Sequence, residues 1–352
     1  MTGRSFDWNY SFDDYLMIFP RGQSMDGGLQ ESQDEYSLEW VSKYGSIVAS
    51  AIGLLEDEDE LKPGAQCDTM NLEQDMATDG INEMGLAAHI LYLGENDVYQ
   101  TPGPDKNGLS PWRWVRYILD NFATVTEAVE AMGTVKIVPI KLCRAKLFNV
   151  HMHIEDSFGD SAIFELVNHE LVIYHNHNTT VMTNDPEYKT QVENYDKYVQ
   201  LGLPEHLPGS ISSQDRFVRL SYYLPYLPNS NSATESVSKN NSLANMKSLM
   251  ASSAVPRGAP GSETGSGSDN DSYPTIWTSY TDLSNKRYYF DWLSTLNTIW
   301  IDIEDANLEE GSPVLKIHPQ EESLVGNIYC DFTTLDGESI CGNEGRRNLR
   351  GS

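Results

Sequence analysis

Arg4 and Asp7 stand three residues apart in Gly3-Arg4-Ser5-Phe6-Asp7-Trp8, at the start of the chain. A guanidinium and a carboxylate at this spacing, among aromatic residues in a short extended segment, form a charged pair that a strand end can aim at one reacting centre. The same six residues also fit an ordinary strand closed by a salt bridge. Two later positions have similar chemistry. Asn184 precedes Asp185-Pro186, where the proline stops strand pairing and leaves the amide at a strand terminus, free to donate to an oxyanion or to cap an Asx-turn. Arg216 falls in the first turn of a helix that Ser213 opens. A cation there opposes the helix dipole, which is a mildly unfavourable placement for a purely structural residue.

The elements that must position these groups follow from periodicity. Ser46 to Ala51 reads as a buried strand. Asp79-Gly80 and Asn82 predict a tight turn, after which Gly85 restarts a strand over Leu86 to Leu93, completing a hairpin. Trp114, Tyr117, Ile118, Phe122, Val125, Ala128 and Val129 recur at helical spacing between Pro111 and Met132, with a break near Ala123-Thr124. From 147 to 183 alternation predicts strands around Phe148 to Ile154, Ala162 to Val167 and Leu171 to Tyr174. His151, His153, His175 and His177 suggest zinc, but polar positions of a half-exposed strand account for them, and no metal is expected. Later strands are expected at Tyr273 to Thr278, Arg287 to Asp291 and Thr298 to Ile303. Strands, then helices, then strands, without βα alternation, point to a layered α+β protein on antiparallel sheets.

Composition narrows the partners. Against 24 Lys+Arg stand 52 Asp+Glu, a net charge of -28, which repels nucleic acid and anionic membranes. No apolar run approaches the ~20 residues of a membrane span, so no membrane insertion and a soluble protein are expected. The run Glu56-Asp57-Glu58-Asp59-Glu60 has the composition of a solvated loop, without the spacing of a calcium loop. Cys67, Cys143, Cys330 and Cys341 form no metal or redox motif; Cys330 and Cys341 could bridge each other or remain thiols. Met1-Thr2-Gly3-Arg4 has no apolar signal core behind it. A cytosolic protein, or one whose start lies upstream and which is then secreted or periplasmic, fits this opening. Asn9-Tyr10-Ser11 and Asn178-Thr179-Thr180 fit the glycan acceptor pattern, which matters only in a secreted protein.

In order and spacing, Gly3-Arg4-x-x-Asp7-Trp8, Phe19-Pro20-Arg21-Gly22, Asp79-Gly80-x-Asn82-Glu83-x-Gly85-Leu86, Leu91-Tyr92, Gly159 to Glu165, Val181-Met182-Thr183-Asn184-x-Pro186, and Leu207-Pro208-Gly209 before Asp215-Arg216-Phe217-Val218-Arg219 resemble the choloylglycine hydrolase family. Tyr288-Tyr289-Phe290 and Ile299 to Ile303 continue the match. This group comprises bile salt hydrolases and penicillin V acylases among the N-terminal-nucleophile hydrolases. The resemblance runs from Gly3 to about Gly326 and implies one domain over 1–326, a four-layer αββα sandwich of two antiparallel sheets, with insertions at about 56–78 and 229–271 and a partly disordered tail over 327–352. It implies cleavage of a small-molecule amide, without cofactor, by an N-terminal cysteine whose α-amine is the base, a group that exchanges protons near neutrality at a pKa of roughly 7.7 to 8.0. Homo-oligomerisation is left open.

Carried over by position, the resemblance puts Arg4 beside the thiol and Asp7 on the α-amine. Tyr92, where bile salt hydrolases tend to have Asn and penicillin acylases Tyr, joins Asn184 in stabilising the oxyanion, and Arg216 completes the charge network. Phe6, Met17 and Phe19 line the acyl pocket. The departure is the nucleophile: family members start with a cysteine on a strand ahead of the Arg-x-x-Asp segment, and here only Met1-Thr2 precede it. The expectation is therefore an amidase site whose nucleophile this chain lacks, inactive as written. Alternatives are a non-catalytic binding protein of the same fold, and an acidic interaction protein whose motifs serve packing alone.

Overall fold

A computed structural model describes residues 1–8, 14–51, 74–94, 98–139, 149–176, 178–228, 239–259 and 273–342. The acidic run 56–60, Cys67, Cys143, His177, the Asn9 acceptor site, most of the Gly/Ser-rich loop and the last ten residues lie outside them.

The strands are β1 (Thr2–Asp7), β2 (Tyr15–Phe19), β3 (Ser24–Asp26), β4 (Glu39–Val41), β5 (Ser46–Ser50), β6 (Ala77–Asn82), β7 (Ala87–Tyr92), β8 (Gly108–Leu109) and β9 (Lys136–Ile137). Then come β10 (Val150–Glu155), β11 (Ser161–Val167), β12 (Glu170–His175), β13 (Thr275–Asp282), β14 (Arg287–Trp292), β15 (Ile299–Asp302), β16 (Leu315–Ile317), β17 (Gly326–Asn327) and β18 (Thr333–Thr334). The helices are α1 (Trp114–Asn121), α2 (Val125–Met132), α3 (Tyr188–Leu201), α4 (Ser213–Tyr223) and α5 (Lys239–Ala251).

Among the described residues, the two large sheets run β1-β13-β14-β15-β17 and β12-β11-β10-β7-β6-β5-β2-β16-β18, and β3-β4 and β8-β9 form separate two-stranded sheets. Pairings within the two large sheets are antiparallel except for the short parallel contact of β15 with β17. Helices α1 and α2 pack on the larger sheet and α5 on β1 and β13, with α4 between α3 and α5. This is the four-layer αββα sandwich.

Register decides which side chains enter the middle. Across the larger sheet, Leu16, Ala49, Asp79, His89, His153 and Ile163 pair in one row. Side chains directly opposite in a ladder share a face, and Asp79 accepts a hydrogen bond from Tyr288 of the smaller sheet; this row therefore faces inward. Met17, Val48, Gly80, Ala88, Ile154 and Ala162 form the next row, which faces the helices. Consistent with that, a Cβ on Gly80 would meet Leu119 of α1, and the Asn82 side chain donates to the Leu119 and Phe122 carbonyls.

The expected helix, with its break at Phe122 to Thr124, is present as α1 and α2, Thr124 capping α2 through the Glu127 amide. The hairpin is also present, but its turn is Glu83 to Gly85: Asp79 and Gly80 lie inside β6, fully buried, and only Gly85 has a positive φ, of 85°. The 229–271 segment contains α5, whose Met246, Leu249 and Met250 are buried against the smaller sheet. Alternation in that stretch is masked by Ser and Asn. Within the described part of the tail, Cys330 and Cys341 form a disulfide with Cα atoms 5.2 Å apart. No helix among the described residues is long and apolar enough to cross a membrane.

Gly80 lets β6 lie close against β5 and under α1: a Cβ there would lie 2.5 Å from the Ile47 carbonyl oxygen of β5 and 3.1 Å from Leu119 of α1. Gly80→Ala is expected to cost about 1–3 kcal/mol by overpacking, read as a lower denaturant midpoint at unchanged slope.

Candidate active site

The site grows from β1. Gly3 faces α5, where an added Cβ would touch Met246 and Met250; strand alternation then turns Arg4 and Phe6 toward the larger sheet. Phe6 lies flat on Trp277, ring centroids 5.0 Å apart and 4° between planes. The Arg4 guanidinium sits 4.3 Å from the Trp277 ring centroid and 4.9 Å from that of Phe6, a desolvated cation–π arrangement worth about 2 kcal/mol. Trp277 is itself anchored, its indole N–H donating to Asp14 at 2.9 Å. Arg4 Nη2 donates to the Ile90 carbonyl at 3.3 Å, while Nε and Nη1 are buried without a partner. Burial lowers the Arg4 pKa, and the Asp79 charge opposes that most strongly.

Between Phe6 and Asp7 the ladder skips Ile276, so Asp7 pairs with Thr275. This bulge places the Thr275 hydroxyl 2.6 Å from Asp7 Oδ1, to which it donates. Arg216 Nη1 contacts Asp7 Oδ2 at 3.3 Å, and its Nη2 donates to Asn184 Oδ1 at 2.9 Å. Its Nε turns back to the Ile211 carbonyl at 3.2 Å. The unfavourable first-turn position is thus occupied because the guanidinium serves three acceptors outside the helix. The α4 N-terminus is separately capped by Ser212, which accepts from the Asp215 amide.

Asn184 completes the link. One of its amide N–H groups donates to the Tyr92 carbonyl at 2.9 Å, and Gln191 of α3 fixes its backbone by donating to the Asn184 and Asp185 carbonyls. Arg4, Asp7, Arg216, Asn184 and Tyr92 are thereby brought together at the end of β7, which receives Arg4 at Ile90 and Asn184 at Tyr92. Tyr92 enters through its backbone, and its ring meets Trp8 edge-on at 6.2 Å. Trp8 in turn meets Tyr273 at 5.9 Å. Trp8, Tyr273 and Thr275 border the charged group and were not singled out from sequence; the Trp8 that ends the opening motif was the available signal.

The expected pocket residues divide. Phe6 borders Arg4 but is committed to stacking in the core. Met17 and Phe19 belong to the helix-facing row, with Arg116 of α1 3.6 Å above the Phe19 ring, so they point away from Arg4 and Asp7. Contiguous apolar residues in β2 disguised which face each takes.

The histidines correct a second expectation. His151 and His153 are 1% and 6% exposed; His151 contacts Glu165 at 2.9 Å and His153 contacts Glu155 at 3.2 Å. They belong to the inward row, where the second sheet removes them from water. Among the described residues no group of His, Cys, Asp and Glu is arranged to hold a metal.

The αββα sandwich thus holds Arg4, Asp7, Asn184 and Arg216 in one linked cluster at the end of β7. A sequence model of the linear amide C–N hydrolases, choloylglycine hydrolase family, matches residues 1–316, and the chain belongs to that family. It is 34% identical to a penicillin V acylase of Pectobacterium atrosepticum over 318 residues, covering 87% of this chain and 78% of that protein. A bile salt hydrolase/transferase of Clostridium perfringens is 24% identical, covering 63% of this chain and 67% of its own. The structure of penicillin V acylase from Agrobacterium tumefaciens superposes with a TM-score of 0.74 at 28% identity, over 97% of this chain and 95% of that one. A mutant of the conjugated bile acid hydrolase from Clostridium perfringens shares the fold with a TM-score of 0.70 at 20% identity, over 92% and 93% of the two chains.

Arg216→Leu removes the donor of both bridging contacts and leaves Asp7 and Asn184 short of a partner. An unfolding free energy lower by about 1–3 kcal/mol is expected, measured by denaturant titration. A neutral effect would mean that the bridge is not formed.

Proposed function

We propose that this chain is an acyl-amide hydrolase scaffold of the penicillin V acylase kind, built for small amides with an aromatic acyl group, and that the attacking group is not among its 352 residues. The observation that carries the reading is the convergence of Arg4, Asp7, Asn184 and Arg216 at the end of β7, beside the aromatic wall of Trp8, Tyr92 and Tyr273. In that reading the substrate carbonyl lies against the remaining Asn184 N–H, which meets the developing oxyanion. Asp7, held by Thr275 and Arg216, orients the amine that serves as base. Arg4, with two unpartnered N–H groups, favours an anionic nucleophile. The aromatic wall receives the acyl group by edge and face contacts.

The chain's own candidates for attack do not fit. Cys330 and Cys341 are bridged, and no internal cysteine presents a free α-amine. Thr2 is at the far end of β1, about 17 Å from Asp7 at ~3.3 Å per residue, and its hydroxyl donates to Glu155. A second reading, a non-catalytic binding protein of the same fold, is favoured by one observation: both Asp7 oxygens already have partners within the chain.

The test compares the 352-residue chain with one extended by a strand that begins with cysteine, on penicillin V, a glycine-conjugated bile acid and a long-chain acyl-homoserine lactone. The chain as given is expected to be inactive on all three, and the extended chain to hydrolyse penicillin V fastest. In the extended chain, Asn184→Ala is expected to lower kcat by ~10²–10³, the cost of losing one oxyanion donor, and Trp8→Ala to raise KM for penicillin V. Hydrolysis by the chain as given would overturn the assignment of the nucleophile, whereas binding without turnover by the extended chain would establish the second reading.

A further inference from the structure

Next to the site lies a group of buried ionisable side chains that the proposed chemistry does not use. Asp79 of β6, fully buried, accepts from Tyr288 Oη at 2.5 Å on one oxygen and contacts His89 Nδ1 at 2.5 Å on the other. His89 Nε2 lies 3.1 Å from Glu155 Oε2, an ion-pair contact rather than an aligned hydrogen bond. The second Glu155 oxygen accepts from Thr2 Oγ1 at 2.9 Å and lies 3.2 Å from His153 Nδ1. His153 Nε2 is matched to the Thr179 carbonyl at 3.0 Å. The line Tyr288–Asp79–His89–Glu155–Thr2 thus leaves the smaller sheet, crosses three strands of the larger one and returns to β1.

Its ends enclose Arg4. Thr2 precedes Arg4 by two residues on the same inward face of β1, and Ile90, whose carbonyl receives Arg4 Nη2, is the residue after His89. Besides its stacking on Trp277 and Phe6, the guanidinium has no other hydrogen bond and no ion pair among the described residues, and the charge that most strongly opposes its burial is that of Asp79. A buried charge without compensation is costly, and truncating one member of a buried pair leaves the other exposed to that cost. Arg4 and a protonated His89 against Asp79 and Glu155 sum to zero.

We propose that Asp79, His89 and Glu155 are positioning residues: a buried carboxylate–imidazolium–carboxylate relay that holds Arg4 at the β1 edge and matches its charge. The relay gives Arg4 a fixed counter-charge without placing a carboxylate on the N–H groups it must offer to a reacting anion. This role deepens the proposed function and rests on it for its catalytic meaning, although the relay itself can be tested without turnover.

The groups facing His89 are Asp79, Glu155, His153, Tyr288 and Arg4. Burial alone would lower the His89 pKa, but the charges of Asp79 and Glu155 outweigh burial and raise it to about 10. Burial would raise Glu155, yet the neighbouring His153 and His89 hold it down at about 2. Burial keeps His153 below the ordinary histidine value, so near neutrality the cation that balances Glu155 is His89. The folded value of His89 is raised, so its stabilising charge is complete below the ordinary 6.5 and is lost as pH rises through about 10.

The test is side-chain ¹⁵N NMR of the 352-residue chain and of Glu155→Gln, a near-isosteric change that keeps an acceptor for Thr2. At pH 8 both His89 nitrogens are expected to carry protons. In Glu155→Gln the His89 midpoint should fall by about one unit or more, and the Arg4 Nε resonance should move with that same midpoint. A purely structural contact would leave Arg4 insensitive to the His89 titration. A neutral His89 at pH 8, or an Arg4 signal that does not follow it, would overturn the relay. Because the measurement uses no substrate, an inactive extended chain would count against the proposed function and leave this result standing.

Discussion

Arg216 reaches Asp7 and Asn184 with the two ends of one guanidinium, and that planar fork sets where α4, the opening strand and the loop before Pro186 must meet. A fork of this kind can serve two acceptors only if both lie near its plane at hydrogen-bond distance. The surrounding elements meet that requirement separately. The skipped Ile276 shifts Asp7 onto Thr275, Gln191 of α3 clamps the Asn184 loop, and the Ile211 carbonyl fixes the Arg216 stem. Substitution of a lysine would retain the charge and lose the second acceptor.

The interior between the sheets is polar where it borders this cluster and apolar elsewhere. Rows that bring Leu16, Ala49 and Ile163 into the core also bring Asp79, His89 and His153. Buried ionisable groups persist only when matched, and here carboxylates, imidazoles and Arg4 match one another across the layer. Glu165 shows the same economy: it accepts from the Tyr188 amide and contacts His151, tying the start of α3 to β11.

Much of this was legible in the chain. Arg4 and Asp7 announced a charged strand end, Arg216 stood out because a first-turn cation needs another reason to be there, and Asn184 was marked by Pro186. The α1–α2 break and the late strands followed from periodicity. What failed has a common cause: alternation assigns residues to two faces but does not say which face meets a second sheet. His151 and His153 therefore looked half-exposed, and Met17 and Phe19 looked available to a pocket. Helix α3 begins with Tyr188 and keeps few buried residues, Gln191 among them, so it offers little apolar periodicity. Helix α5 is hidden by Asn and Ser for a similar reason. The inter-sheet relay could not be read at all, because its members are far apart in sequence and individually ordinary.

Asp7 and Asn184 act as one unit through Arg216, and the site stands or falls with that coupling. A double-mutant cycle of Asp7→Ala and Asn184→Ala, read by equilibrium unfolding of the chain, measures it directly. A coupling of about 0.5–3 kcal/mol is predicted. Additivity to within about 0.3–0.5 kcal/mol would contradict it and leave the two residues as unrelated neighbours of an arginine.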